Sequence, residues 1–218
     1  MLTLSVIIKE KVINLYAKTS WKRWFVKIRF WDAPLVEISK LVPEKTKVLD
    51  LGCGEGTLSN YLALEDPKRK IIGVEIDSAR VNDARRGLPN VEFKKGDVTK
   101  IKIPECDVIL MTHLLHHLPS KDAQTELLTK IANGLNKNQK LIITEVAEKP
   151  FIKYLISWLT DAFVVPILFE KSFYNFNFFY RKQSEWEKLF ADLKLKVKII
   201  KADDDKPFSH IIFECRKK

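Results

Sequence analysis

Glycine is scarce in this chain: seven residues in 218, beside nine prolines, three cysteines and two methionines. Cys53, Cys106 and Cys215 stand far apart, with no C-x-x-C pair and no histidine at ligand spacing. That excludes a disulfide framework and a structural zinc site, and it suits a reducing cytoplasm. Long uncharged apolar runs are also missing. MLTLSVII meets Lys9, Glu10 and Lys11 after eight residues, with no basic prelude and no small-residue cleavage pattern, so no secretory leader is expected. FIKYLISWLTDAFVVPILF is interrupted by Lys153, Asp161 and Pro166, which argues against a spanning helix but not against contact with a membrane surface. No repeat or low-complexity tract is visible. With 46% hydrophobic and 30% charged residues, the balance is that of a globular domain.

The formal charge of +10 is diffuse. Residues 1–45 hold nine Lys/Arg against four acids, and the remaining excess is interleaved with carboxylates, as in EWEKLFADLK. A solvated basic surface accounts for this pattern; attraction to anionic lipid or to RNA is the alternative.

Leu4, Ile8, Val12 and Leu15, then Trp21, Trp24, Phe25 and Ile28, recur at helical spacing and predict two short amphipathic helices. A third is predicted from Ala33 to Leu41, ending before Pro43. KVLDLG, KIIGVEI, VEFKKGD, CDVILMT and KLIITEV are then short β-branched runs separated by helical or loop stretches, the rhythm of βαβ units and a parallel sheet. QSEWEKLFADL predicts a last helix with Trp186, Leu189, Phe190 and Leu193 on one face. LKVKIIK and SHIIFECR around ADDDKPF predict an antiparallel hairpin.

Of 23 aromatic residues, eleven fall between Phe151 and Tyr180 and six between Tyr16 and Trp31. They form either a second core between two additions to the sheet, or the wall of an apolar pocket or lipid-facing surface.

Three of the seven glycines sit in VLDLGCGEGTLSNYLA, after a strand and before a helix. The spacing Gly52-x-Gly54-x-Gly56 departs from the G-x-G-x-x-G of dinucleotide binding, since Thr57 follows. Asp50 and Glu55 bring negative charge to the turn, which repels a phosphate and suits a cation. Glu75 ends the next strand 19 residues after Gly56, near the separation at which a carboxylate reaches a ribose hydroxyl pair. Asp77, ahead of SARVNDARRG, reads as the cap of that helix.

VLDLGCGEG, GVEIDSARV, Gly96-Asp97-Val98 and CDVILMTHLLHHLP, in that order, resemble the successive signatures of class I S-adenosylmethionine-dependent methyltransferases, in particular the small quinone-biosynthesis kind. The resemblance covers residues 46–146. It implies an α/β, Rossmann-like, seven-stranded and mostly parallel sheet in the order 3-2-1-4-5-7-6, with strand 7 antiparallel and helices on both faces. The implied layout is a single domain over 1–218: an N-terminal helical cap (1–45), a cofactor-binding core (46–146), an aromatic-rich lid or substrate insertion (147–182), and a terminal helix and hairpin (183–218).

The implied cofactor is S-adenosylmethionine, with S-adenosylhomocysteine as product and no metal. Gly52, Gly54 and Gly56, with Cys53 and Glu55 between them, would pass under its methionine and ribose, and Asp50 would orient the amino group. Glu75 would hold the ribose hydroxyls, where the family often has Asp. Ile76 would pack on the adenine, Asp97 would accept its amino group beside the Val98 backbone, and Thr112 and His113 would face the transferable methyl. A base is needed only if the acceptor loses a proton. His116, His117 and His113 are the candidates for it, with a helix-start or packing role as the alternative.

Without an Asn/Asp-Pro-Pro-Tyr/Phe tetrapeptide after the fourth strand, adenine or glutamine amino methylation is not expected. The expected acceptor is an apolar small molecule or a lipid-like one. TSWKRWFVKIRFW interleaves cations and aromatics as interfacial helices do, so peripheral membrane contact of a cytoplasmic protein is expected beside it, with simple packing over the pocket as the other reading. An RNA methyltransferase and a non-catalytic cofactor-binding scaffold are the alternative functions; nucleic acid is disfavoured for want of an RNA-binding appendage.

Overall fold

The computed structural model describes residues 3–17, 19–164, 178–202 and 204–218. Seven strands form one sheet: β1 (Lys47–Leu51), β2 (Lys70–Glu75), β3 (Val91–Lys95), β4 (Val108–Thr112), β5 (Lys140–Val146), β6 (Leu195–Lys201) and β7 (His210–Lys217). Their order is β3-β2-β1-β4-β5-β7-β6, with the first five parallel and β7 antiparallel to both its neighbours. This is the expected topology. The order reverses beside β1, and the parallel strands end together there, which places a crevice above β1 and β4.

Strand alternation divides the core into two layers. Leu49, Leu51, Ile109, Met111, Leu141, Ile143 and Phe213 face α6 (Lys121–Gly134) and α8 (Gln183–Asp192), where Leu128, Trp186 and Phe190 are buried. Val48, Val108, Leu110, Ile142 and Ile212 face the other way, onto α4 (Thr57–Glu65) and the N-terminal helices α1 (Leu4–Leu15), α2 (Ser20–Asp32) and α3 (Leu35–Ser39). The first 45 residues therefore supply part of one core layer, because Val12, Ile13, Tyr16, Val26 and Ile38 are buried in it.

Two local expectations are corrected. The third helix is shorter than Ala33–Leu41: Pro34 occupies the N-cap, and the chain leaves the helix through a tight turn in which Leu41 N–H donates to the Ile38 carbonyl at 3.0 Å. In α2 the fully buried residues are Val26, Phe30 and Asp32; of the Trp21–Trp24–Phe25–Ile28 stripe, Phe25 packs half-buried against that core while Trp21 and Trp24 are exposed. Trp24 and Trp31 stay 51% and 59% exposed, because the sheet-facing side of α2 is taken by the Phe30–Tyr61 edge-to-face contact with α4.

The aromatic segment begins with α7 (Phe151–Leu159), continued by a wider π turn from Thr160 to Val164. Phe151 and Ile152 are 67% and 72% exposed, and Leu155, Ile156 and Leu159 also reach solvent. The rest of the expected insertion, 165–177, lies outside the described residues. Among the described residues no helix is long and apolar enough to cross a membrane.

Candidate active site

A cavity of about 1050 Å³ opens over the C-terminal ends of β1, β2 and β4. The sequence-predicted residues Asp50, Gly52, Cys53, Gly54, Glu55, Glu75, Ile76, Asp97, Val98, Thr112, His113, His116 and His117 all line it; Gly56 does not.

The three glycines have left-handed backbones, φ +71, +54 and +73, which is why side chains are absent there. Their surroundings differ. A Cβ on Gly52 would strike Leu114 Cδ1 at 2.6 Å, and one on Gly56 would strike Phe93 Cζ at 2.7 Å and Ala84 Cβ at 2.8 Å. A Cβ on Gly54 would meet nothing within 4 Å. Gly56 thus serves the packing of the loop on β3 and on α5 (Ser78–Ala84), whereas Gly54 presents bare backbone to open space.

The turn is tied down from below. Gly52 and Cys53 N–H donate to the Val74 carbonyl at 2.8 and 3.1 Å. Glu75 accepts from Gly54 N–H and Asp77 N–H, each at 3.0 Å, which holds its carboxylate at the loop with lone pairs to spare. Asp77 caps α5 as expected, accepting from Ala79 and Arg80 N–H. Asp97 accepts from Thr99 N–H and Oγ1, and these bonds hold its carboxyl below the usual range.

Asp50 is the electrostatically loaded member. It is 2% exposed, and it accepts from Ser59 Oγ at 2.6 Å. Burial raises its pKa to about 6, with the nearby Glu75 charge adding to the effect. A buried carboxylate of this kind gains most from a cationic ligand group.

The N-terminal helices reach the same loop. Tyr16 Oη donates to the Glu55 carbonyl at 2.5 Å and accepts from Asn60 Nδ2 at 2.8 Å, and burial pushes its pKa up to about 12, so it remains a donor. Tyr16→Phe is expected to cost about 1–2 kcal/mol by removing both bonds while the Arg86 stack on the ring survives. Urea unfolding measures this; an unchanged midpoint would mean the hydroxyl does not hold the loop.

The far wall carries the chain's four histidines. His116 Nδ1 lies 2.5 Å from Glu145 Oε2, while Glu145 Oε1 accepts Leu115 N–H at 2.8 Å. This carboxylate, buried near the end of β5, anchors the 3-10 turn Leu115–His117. His113 sits at φ 52 directly after β4, with its N–H on the Thr144 carbonyl. Its pKa, and that of His117, is held well below the usual histidine range, first by desolvation and then by neighbouring cationic and imidazole groups.

Sequence reasoning missed Glu145, His210 and Asp32. Their signal was an acid in the apolar run KLIITEV, and a histidine at the head of the last strand. Aromatic and aliphatic side chains complete the cavity: Trp24, Phe25, Ile28 and Trp31 from α2, with Leu35, Leu118, Val146 and Phe208. Among the described residues no group of three or more His, Cys, Asp or Glu is arranged to hold a metal ion.

A family model described as "Methyltransferase domain" matches residues 43–193. The chain is 35% identical over 114 residues to a carboxy-S-adenosyl-L-methionine synthase of Actinobacillus pleuropneumoniae, covering 49% of this chain and 47% of that protein. The chain spans about half the length of the curated relatives it matches. Among solved structures, mitomycin 7-O-methyltransferase superposes with a TM-score of 0.70 at 19% identity, over 96% of this chain and 60% of that one. Magnesium protoporphyrin IX methyltransferase of Synechocystis, solved with bound S-adenosylhomocysteine, superposes with a TM-score of 0.66 at 15% identity, over 99% and 95%.

Proposed function

The chain belongs to the class I S-adenosylmethionine-dependent methyltransferases, and on that premise we propose that it transfers a methyl group to an apolar small-molecule or lipid-like acceptor. The observation that carries this reading is the joining, in one cavity, of the glycine-loop wall to a wall of histidine and aromatic side chains.

The residues fit the cofactor. Gly54 leaves bare backbone where a ligand can lie flat, and the buried Asp50 carboxyl, its pKa raised by desolvation and by Glu75, would gain from a cationic ligand group. Glu75 retains lone pairs for a hydroxyl pair, and Asp97 and Val98, which line the same cavity, would meet the adenine. Bound there, the cofactor supplies a methyl group already activated on a sulfonium. The protein's work is then placement: Trp24, Phe25, Ile28 and Trp31 exclude water and hold an apolar acceptor against the β4 end. Where the acceptor carries a proton, a cavity histidine takes it.

Calorimetry with S-adenosylhomocysteine tests binding. Incubation of the protein with methyl-labelled cofactor and fractionated lipid and small-molecule extracts tests transfer. Label in an RNA fraction instead would favour the RNA reading, and binding without label in any fraction would favour a non-catalytic scaffold.

Membrane contact is part of the same proposal. Trp21 and Trp24 lie with ring centroids 5.1 Å apart and tilted planes on the exposed side of α2, flanked by exposed Arg23 and Lys27. The exposed apolar side of α7 adds Phe151 and Ile152. Aromatic and cationic side chains together favour an anionic interface. Flotation with anionic vesicles at low salt is expected to carry the protein upward, less so in Trp21→Ala/Trp24→Ala; failure to float removes this clause.

A further inference from the structure

The cations of α2 do not form one surface. Arg23 and Lys27 are exposed, and Lys22 pairs with Asp83 of α5. Arg29 lines the cavity instead. Phe25, Ile28, Arg29 and Asp32 recur at the i, i+3, i+4, i+7 spacing of one helix face, and all four belong to the cavity wall.

Most donors of this guanidinium are unused. Arg29 Nη1 donates to Asp32 Oδ2 at 3.3 Å, its one side-chain hydrogen bond among the described residues. Its Nε and Nη2 have no partner among those residues, yet they are not sealed from solvent as the same atoms of Arg86 are. Asp32 Oδ1 lies 3.6 Å from His210 Nε2, and the His210 ring centroid lies 4.9 Å from that of His113, directly after β4. This chain of contacts ties Arg29 to the histidine wall. The other two Lys/Arg side chains in the cavity are taken up by acids of the proposed cofactor wall, Arg80 by Glu55 at 3.3 Å and Lys100 by Asp97 at 3.1 Å.

We propose that Arg29 is the specificity-determining residue of the acceptor site: its unpaired Nε and Nη2 take a carboxylate, so the acceptor is an apolar molecule carrying one carboxylate group. The inference deepens the methyl-transfer reading and rests on it. Asp32 holds the guanidinium by Nη1 and leaves the Nε–Nη2 edge to the ligand.

A guanidinium stays charged, and among aromatic and aliphatic side chains that charge is costly unless an anion meets it. Its planar fork matches a carboxylate through two parallel N–H···O bonds, and one cation balances one such anion. A phosphate monoester brings about two negative charges and would lie beside the Asp32 carboxylate with a single cation to support it. Trp24, Phe25, Ile28 and Trp31 then cover the apolar body. The acceptor class narrows from apolar molecules in general to apolar monocarboxylic acids.

Calorimetry with decanoate, decanamide, decylammonium and decyl phosphate, on protein with and without S-adenosylhomocysteine, tests this. Decanoate is expected to bind about tenfold or more tighter than decanamide, the effect of a charge-assisted hydrogen bond. Arg29→Gln is expected to abolish that preference, and Arg29→Lys, which keeps the charge but not the fork, to retain part of it. Lys100→Gln is expected to leave it intact. Decanamide or decylammonium binding as tightly as decanoate overturns the proposal, as does tighter binding of decyl phosphate or no binding of decanoate. A preference that survives in Arg29→Gln, or that falls equally in Lys100→Gln, overturns it too. If Arg29→Gln does not fold, an undiminished preference in Arg29→Lys does so instead. Failure of S-adenosylhomocysteine to bind would strike the methyltransferase reading; its binding without a carboxylate preference strikes only this inference.

Discussion

Replacing Asp50 by asparagine is expected to stabilise the protein and at the same time to weaken its hold on S-adenosylmethionine. The carboxyl pKa rises from 3.8 to about 6 on folding, chiefly by burial. For an acid this means that the folded chain keeps the proton longer than the unfolded one. Below about pH 4 both states are protonated and there is no penalty. Stability then falls as pH rises toward 6, and above it the buried charge costs about 3 kcal/mol. The asparagine amide can still accept from Ser59 and carries no charge, so a gain of about 1–3 kcal/mol at neutral pH is expected in urea unfolding without ligand.

Binding moves the other way. If the carboxylate meets the cofactor's ammonium, affinity must drop about tenfold per pH unit below pH 6, because the proton has to leave first. Asp50→Asn is expected to flatten that dependence and to lower affinity on the order of 30-fold or more, an effect of about 2 kcal/mol or above. Calorimetry with S-adenosylhomocysteine from pH 5 to pH 8 reads both. A destabilised variant, or an affinity indifferent to pH, would remove Asp50 from the cation-binding role.

The second large effect separates two glycines that have a single residue between them in the loop. Gly54→Ala is expected to keep the fold, losing only about 1–2 kcal/mol for a left-handed alanine, since its methyl would meet no protein atom. That methyl occupies the space in which the ligand is proposed to lie, so S-adenosylhomocysteine affinity is expected to fall by more than about tenfold. Gly56→Ala bears the same backbone strain and adds a clash with the buried Phe93 and Ala84, neither of which is free to retreat. Overpacking adds about 1–3 kcal/mol, and the expected result is a sharply lowered melting temperature. Equal melting temperatures for the two variants would show that the loop relaxes and that the distinction between packing and binding glycine is unfounded.

Much of the fold was legible because its signals are local. The β-branched runs, the caps and the hairpin each lie within a few residues, and Asp77 at the head of α5 was read from its neighbours alone. The candidate cofactor wall was legible for a related reason: it hangs from consecutive strand ends, and a parallel sheet brings those ends together wherever its strands form. The face of α2 was not legible. Apolar spacing pointed to Trp21, Trp24, Phe25 and Ile28, but which side of a helix is buried depends on the surface it meets, and Tyr61 of α4 engages Phe30 instead.

The sequence by itself determined that this is a parallel α/β chain with a glycine turn suited to a cation-bearing ligand, since period, turn chemistry and spacing act over short stretches. Only the tertiary structure decided that Gly56 packs while Gly54 stays bare, that Asp50 is buried enough to resist ionisation, and that Glu145 meets His116 across 29 residues. It also brought His210, 178 residues from Asp32, to that residue's carbonyl and set it beside His113. Desolvation and hydrogen-bond pairing are properties of the assembled surroundings, and no stretch of sequence carries them before the sheet closes over it.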